Sequence, residues 1–188
     1  MKSFRRHSAT VNAGSMADIA FLLLIFFLIT TTISADKGII RKLPSDCPNI
    51  DDCVKDTYER NILRIELNKN QDIFIEDKLV ALKDVKQMVI DFVDNNGKSN
   101  CDYCLGSKKP ELSDHPKEAI ISLSHDAFTK YQLFISVQDE ITKGYYELRS
   151  KYVKNTFNKD INSISEDELL KVRKAYPFIV SEVMVKRD

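Results

Sequence analysis

Glycine and proline are scarce in this chain, five of each in 188 residues, which excludes a collagen-like or low-complexity protein. A surplus of charge of one sign is also missing: 28 lysines and arginines balance 28 aspartates and glutamates. Without a positive field to hold a phosphate backbone, nucleic acid is not an expected partner. No glycine-rich phosphate cradle and no nucleophile-plus-base pattern occurs, so nothing in the sequence supports enzymatic chemistry or a cofactor. No second long apolar run follows the first. Length and composition together suit one modest folded domain plus an anchor.

Four cysteines are present, and all lie beyond that apolar run, in two close pairs: Cys47 with Cys53, and Cys101 with Cys104. An even count so placed suggests disulfides in an oxidising compartment. Cys101-Asp102-Tyr103-Cys104 also has the spacing of a redox dithiol, or of two zinc ligands completed by Cys47 and Cys53.

The apolar run reads Met16-Ala-Asp-Ile-Ala-Phe-Leu-Leu-Leu-Ile-Phe-Phe-Leu-Ile29, and Thr30 to Ala35 extend it with side chains that a membrane helix tolerates. From Ser15 to Ser34 it is about 20 residues, roughly 30 Å of helix, enough to cross a bilayer core. The expected organisation is a cytoplasmic tail (1–14), a transmembrane helix (15–35), a periplasmic linker (36–60) and a periplasmic domain (61–188). A cleaved signal peptide competes with this reading, because Lys2, Arg5 and Arg6 precede the run and Ile33-Ser34-Ala35 offers a small-residue cleavage pattern. Against it stand the long segment ahead of the core and the carboxylate at the core's start. Flanking charge does not set the orientation, since Lys37, Arg41 and Lys42 balance the N-terminal cluster. The cysteines do, placing the domain in the periplasm.

Asp18 is the ionisable residue of this span. A charged group there costs on the order of 3 kcal/mol on insertion scales, and such residues face a partner helix, a cavity or an ion path. The alternative is that Asp18, about one turn from the helix end, reaches the interface and complements the helix dipole. On a helix it shares a face with Phe21, Leu22, Ile25, Ile29 and Thr32, an apolar stripe with a hydroxyl at its far end. A proton crossing a membrane down its potential releases about 2.3 kcal/mol per 100 mV. One helix cannot enclose a proton path, so a multi-span partner is implied.

The run Asn12-Ala-Gly-Ser-Met-Ala-Asp18-Ile-Ala-Phe-Leu-Leu-Leu-Ile-Phe-Phe-Leu28, followed by Leu43-Pro44, resembles the ExbD/TolR family of biopolymer-transport proteins, in which an aspartate occupies the position of Asp18. The resemblance implies a homodimer inside a ring of an ExbB-like multi-span membrane protein, in the lipid bilayer of the bacterial inner membrane. Its two Asp18 carboxylates would be protonated alternately. In the ExbD branch the energy passes to a TonB-like transducer for outer-membrane transport; in the TolR branch it serves outer-membrane integrity. The run from Asp18 to Leu28 is closer to the ExbD branch.

Beyond the linker, Leu63, Ile65 and Leu67 alternate with charges and Ile73-Phe74-Ile75 follows, which predicts a β-hairpin. Val85, Met88, Val89, Phe92 and Val93 predict a helix stopped at Asn95-Asn96-Gly97. Lys98 to Glu118 reads as a long loop that a local disulfide would restrain. Ile120, Ile121 and Leu123 predict a strand, and the series from Leu133 to Tyr152 a long amphipathic helix. The segment from Thr156 to Ser163 looks inserted relative to the family. Ser165 and Glu168 open a second short helix, and Phe178 to Val185 forms a last strand. The expected fold class is α+β: a single N-terminal transmembrane helix, then a small periplasmic domain with helices on one face of a sheet. Tyr145, Tyr146 and Tyr152 are expected in the core and on the helix surface. His125 is expected as an exposed loop histidine, the competing role being a ligand or acid.

Overall fold

The computed structural model describes residues 12–30 and 57–185, which fall in two compact units. The first holds helix α1, Ala13–Thr30. Its start is set by Asn12, whose Oδ1 accepts from the Gly14 amide at 3.0 Å, supplying one of the donors that a helix start leaves unpaired. The helix therefore begins two positions before the expected Ser15. Apolar side chains surround it on every side from Ile19 to Ile29, and none is buried. A helix apolar all round has no water-facing side, and this one is long and apolar enough to cross a membrane.

The second unit is an α+β fold. A five-stranded mixed sheet has the order β3-β2-β1-β4-β5, with β1 Ile62–Leu67, β2 Ile73–Ile75, β3 Lys78–Val80, β4 Ile120–Asp126 and β5 Val180–Val185. The hairpins β1-β2 and β2-β3 are antiparallel, whereas β4 lies parallel to both β1 and β5. Three helices serve the unit: α2 Leu82–Val93, α3 Tyr131–Phe157 and α4 Glu166–Ala175. The parallel neighbours are possible because α2 and α3 supply the crossovers that such strands require.

Alternation fixes which sheet face is covered. Leu63, Ile65 and Leu67 of β1 are buried while Arg64 and Glu66 point away, as a period of two demands. Register then aligns Ile65 with Ile75 on one side and Leu123 on the other, giving an apolar band that meets Val85, Val89 and Val93 of α2 and Val137, Ile141 and Leu148 of α3 in one core. A Cβ added at Gly144 would sit 3.2 Å from Val89 Cγ1, so the absence of a side chain lets α2 and α3 approach closely. Tyr145 is buried, Tyr152 packs partly against the core and Tyr146 is exposed, the division expected of the three.

The hairpin, α2, the central strand, the long helix and the final strand stand where the sequence places them. The capping box is also present, with the Ser165 amide donating to Glu168 Oε2 at 2.8 Å and the Glu168 amide donating to Ser165 Oγ. The strand β3 was not anticipated. It is three residues long, and the turn before it uses Glu76 and Asp77 at positive φ (47° and 62°) in place of the asparagine and glycine that usually mark such a turn. The Thr156 to Ser163 segment, expected as an insertion, completes α3, reverses at left-handed Asn158 and enters a short turn at Ile161–Ser163.

Candidate functional site

Asp18 lies on α1, with Phe21, Leu22, Ile25 and Ile29 following on the same side of the helix. Asp18 is exposed, as are Leu22 and Ile29, and Ile25 is half-buried. The stripe therefore presents a carboxyl and large apolar side chains outward. Near the helix end the Thr30 hydroxyl donates to the Phe26 carbonyl at 2.8 Å, so it is satisfied by its own helix. Thr32, the expected end of the stripe, lies outside the described residues.

In the sheet unit, the loop from Asp94 to Ala119 is held by side-chain bonds to its backbone. Cys101 and Cys104 form a disulfide with Cα atoms 5.5 Å apart. With the two sulfurs bonded to each other, neither is a thiolate ligand for zinc in this state. Cys47 and Cys53 lie outside the described residues. Buried Asn95 and Asn96 act as templates for the loop backbone. Asn95 donates to the Lys109 and Ser113 carbonyls and accepts from the Lys109 amide, and Asn96 accepts from the Cys101 amide and donates to the Cys101 carbonyl, both at 3.1 Å. Gly106 is required for close approach, since a Cβ there would lie 2.2 Å from the Asp94 carbonyl oxygen.

Two aspartates in and beside this loop are buried for different reasons. Asp94 accepts from the Tyr176 hydroxyl and the Leu105 amide. Burial holds its carboxyl above the ordinary value, against the opposing pull of those bonds and of the Lys151 charge. Asp114 has a side chain only 3% exposed and faces Arg60 at 3.0 Å and Lys98 at 3.1 Å. Burial pushes its carboxyl up, but bonds from Lys98, Arg60 and Asn61 outweigh burial and hold it below the ordinary value. Asp114 thus ties the loop to Arg60 and Asn61, where the chain enters β1.

Tyr103, between the two cysteines, donates its hydroxyl to the Ala175 carbonyl at 2.9 Å. Its ring meets those of Tyr152, Tyr176 and His115 edge-on, with centroids 5.2, 5.4 and 5.9 Å away. Burial, with Tyr152 and Asp94 nearby, pushes the Tyr103 hydroxyl up to about 12.

His125 corrects one expectation. It belongs to β4, is half-buried, and its ring packs on Phe134 at 4.9 Å, with Nδ1 3.2 Å from the Asp126 carbonyl. Its pairing with Leu67 places it on the helix-covered face. Beside it opens a groove of about 640 Å³ lined by Glu66, Phe74, Asp77, Ser124 and Phe128, among others. Among the described residues no three histidines, cysteines or carboxylates gather as a metal site. The loop network went unanticipated because Asp94, Asn95 and Asp114 look like solvated loop residues in sequence. The aromatic side chain between two cysteines was the available signal that the loop docks inward.

A family model described as biopolymer transport protein ExbD/TolR matches residues 5–149. The match takes in α1, strands β1 to β4, α2 and much of α3. A search of curated proteins found no match. The apolar helix with its single acid, followed by an α+β unit, agrees with that match, and the chain belongs to the ExbD/TolR family of biopolymer transport proteins.

Proposed function

We propose that this protein is a proton-channel subunit of an inner-membrane motor, and that Asp18 carries the proton. The carrying observation is one carboxyl on a helix otherwise apolar on every side. Such a group is costly in a bilayer unless a partner surrounds it, and a site that alternates between the two sides of a membrane needs a group of this kind. The outward apolar stripe of Leu22, Ile25 and Ile29 is suited to packing in a bundle, with a second copy of α1 and an ExbB-like multi-span protein completing the path. Membership of the family supports a role in biopolymer transport within a membrane complex.

In this reading residues 1–14 are cytoplasmic, 15–35 cross the inner membrane, 36–60 link, and 61–188 form the periplasmic domain. The Cys101–Cys104 disulfide favours that orientation, because such bonds persist in the periplasm and not in the cytoplasm. The coupled process is TonB-dependent transport across the outer membrane. Each of the edge strands β3 and β5 is hydrogen-bonded on one side, and each offers a place where an extended segment of a TonB-like transducer would add as a strand.

The test is energy-dependent outer-membrane uptake in cells whose sole copy carries Asp18→Asn, with membrane level and partner co-purification measured in parallel. Asparagine keeps the shape but cannot cycle a proton. Loss of uptake with normal assembly is the expected result. Unchanged uptake would make Asp18 an interfacial helix residue and remove the proton-carrying role.

A further inference from the structure

We propose that the Cys101–Cys104 disulfide is a thiol–disulfide exchange site whose redox state sets how firmly the approach to edge strand β5 is held. The inference does not depend on Asp18 or on proton transport.

The disulfide closes a ring of few residues, so its effect on the unfolded chain is small compared with a long-range bridge, and its consequence is local. What it fixes is Tyr103. That side chain reaches the last residue of α4 through the Ala175 carbonyl and lies edge-on to Tyr176. Tyr176 is the junction between α4 and β5. Its hydroxyl bonds Asp94, at the other end of the same loop, and its carbonyl accepts from Arg149 Nε and Nη2 at 3.0 and 2.7 Å. A few residues later β5 begins, and among the described residues its strand partner is β4. The loop is therefore a clasp on the lead-in to a strand that has one neighbour among the described residues. Arg149, and Gln138 donating to Glu182 at 2.6 Å, are anchors that do not pass through the loop, so opening the clasp loosens β5 without unfolding the sheet.

The two cysteines differ in exposure. Cys101 is 7% exposed and has its amide and carbonyl both bound by Asn96. Cys104 is half-buried and is followed by exposed Leu105. A thiolate of a dithiol reductant of the Cys-x-x-Cys class attacks Cys104 Sγ, the Cys101–Cys104 bond breaks, and Cys101 leaves as a thiolate that takes up a proton. The reductant's second thiolate then attacks its own sulfur in the mixed disulfide. Cys104 departs and is protonated, and the reductant is left oxidised: two electrons and two protons have moved onto the pair. With the ring open, the backbone from Cys101 to Cys104 gains freedom and Tyr103 is no longer held in position over Ala175 and Tyr176.

The experiment is amide hydrogen exchange, read by mass spectrometry, on the full-length protein in detergent micelles before and after treatment with dithiothreitol, with alkylation mapping the cysteines reduced. The expected result is alkylation of Cys101 and Cys104, exchange about tenfold faster in residues 175–185, and unchanged exchange in residues 62–75, as local opening predicts. Tyr103→Ala with the disulfide intact, which avoids any effect of reducing Cys47 or Cys53, should reproduce the faster exchange in residues 175–185 alone. Three outcomes overturn the proposal: Cys101 and Cys104 resisting reduction in the folded protein, exchange rising equally across the sheet, or residues 175–185 keeping their protection in both the reduced protein and Tyr103→Ala.

Discussion

Tyr176 donates its hydroxyl to Asp94 Oδ1 at 2.6 Å across 82 positions of sequence, and Asp94 Oδ2 accepts from the Leu105 amide at 3.0 Å. One carboxylate thus joins the end of α2, the disulfide loop and the entry to β5. Burial raises its proton affinity above that of a free carboxyl by more than its partners lower it.

The consequence is a pH dependence of unusual sign for a carboxylate. A group that binds its proton more tightly folded than unfolded makes stability fall as pH rises from the unfolded value, 3.8, through the raised folded value. Asp94→Asn cannot ionise and should lose this contribution. Thermal unfolding of the full-length protein in detergent, followed from pH 4 upward, is expected to show wild type losing melting temperature relative to Asp94→Asn across that window. Parallel curves would mean that Asp94 is ionised in both states.

Asp114 has the opposite sign. Lys98, Arg60 and Asn61 hold its carboxyl below 3.8 despite burial, so its contribution is present above 3.8 and disappears as pH falls through the lowered folded value. Asp114→Asn is expected to cost about 2 kcal/mol at neutral pH, the two cations being partly exposed and able to rehydrate. The variant should also lose less stability than wild type on acidification below 3.8. Urea denaturation at pH 7 and pH 3 measures both. Lys98→Met should cost clearly less than Asp114→Asn, because Lys98 is 39% exposed and Arg60 still faces the carboxylate.

Gly106 and Gly144 separate two kinds of close approach. At Gly106 a methyl group would lie 2.2 Å from the Asp94 oxygen and 2.6 Å from Asn95 Cα, both backbone atoms that side-chain rotation cannot move. Gly106→Ala is therefore expected to destabilise by about 3 kcal/mol, in the range of severe overpacking. At Gly144 the nearest atom is Val89 Cγ1 at 3.2 Å, a side-chain methyl. Gly144→Ala should cost about 1 kcal/mol or less, since the helix interior favours alanine and partly offsets the crowding. Chemical denaturation of the two variants side by side checks the order, and a larger cost at Gly144 would contradict it.

What could be read from the sequence divides along physical lines. Leu63, Ile65 and Leu67 were legible because a half-buried strand repeats every two residues, and Leu133 to Tyr152 because a helix on a core repeats its apolar side every turn. Ser165 with Glu168 was legible because a capping box is a local bond between near neighbours. The strand β3 was not, since three residues cannot establish a period and its turn contains no glycine. Asp94, Asp114, Asn95 and Tyr176 were hidden for a different reason. Their partners lie far along the chain, and a polar side chain in a loop carries no mark that distinguishes burial from solvation until the fold closes over it. His125 was misplaced by the same limit: a strand that runs on to Asp126 carried it onto the covered face.

Two tyrosines on the same core should respond to loss of the hydroxyl in opposite directions. Tyr145 is 1% exposed, and its hydroxyl is buried without a hydrogen-bond partner among the described residues. Burial pushes that hydroxyl up to about 12, with the Arg149 charge and a backbone approach from Ile179, too poor in geometry to count as a full hydrogen bond, pulling the other way. Tyr145→Phe keeps the ring against Phe178 at 4.9 Å and removes an oxygen that lost its water on folding. It is expected to be neutral or stabilising by up to about 1 kcal/mol. Tyr176→Phe removes the donor that satisfies Asp94 and leaves a buried carboxyl with one fewer partner, an expected loss of about 1–3 kcal/mol. Equilibrium unfolding of both variants under one condition decides the matter. If Tyr145→Phe lost as much as Tyr176→Phe, the Tyr145 hydroxyl would have to be held by a bond of comparable strength, and its place in the core would need a different account.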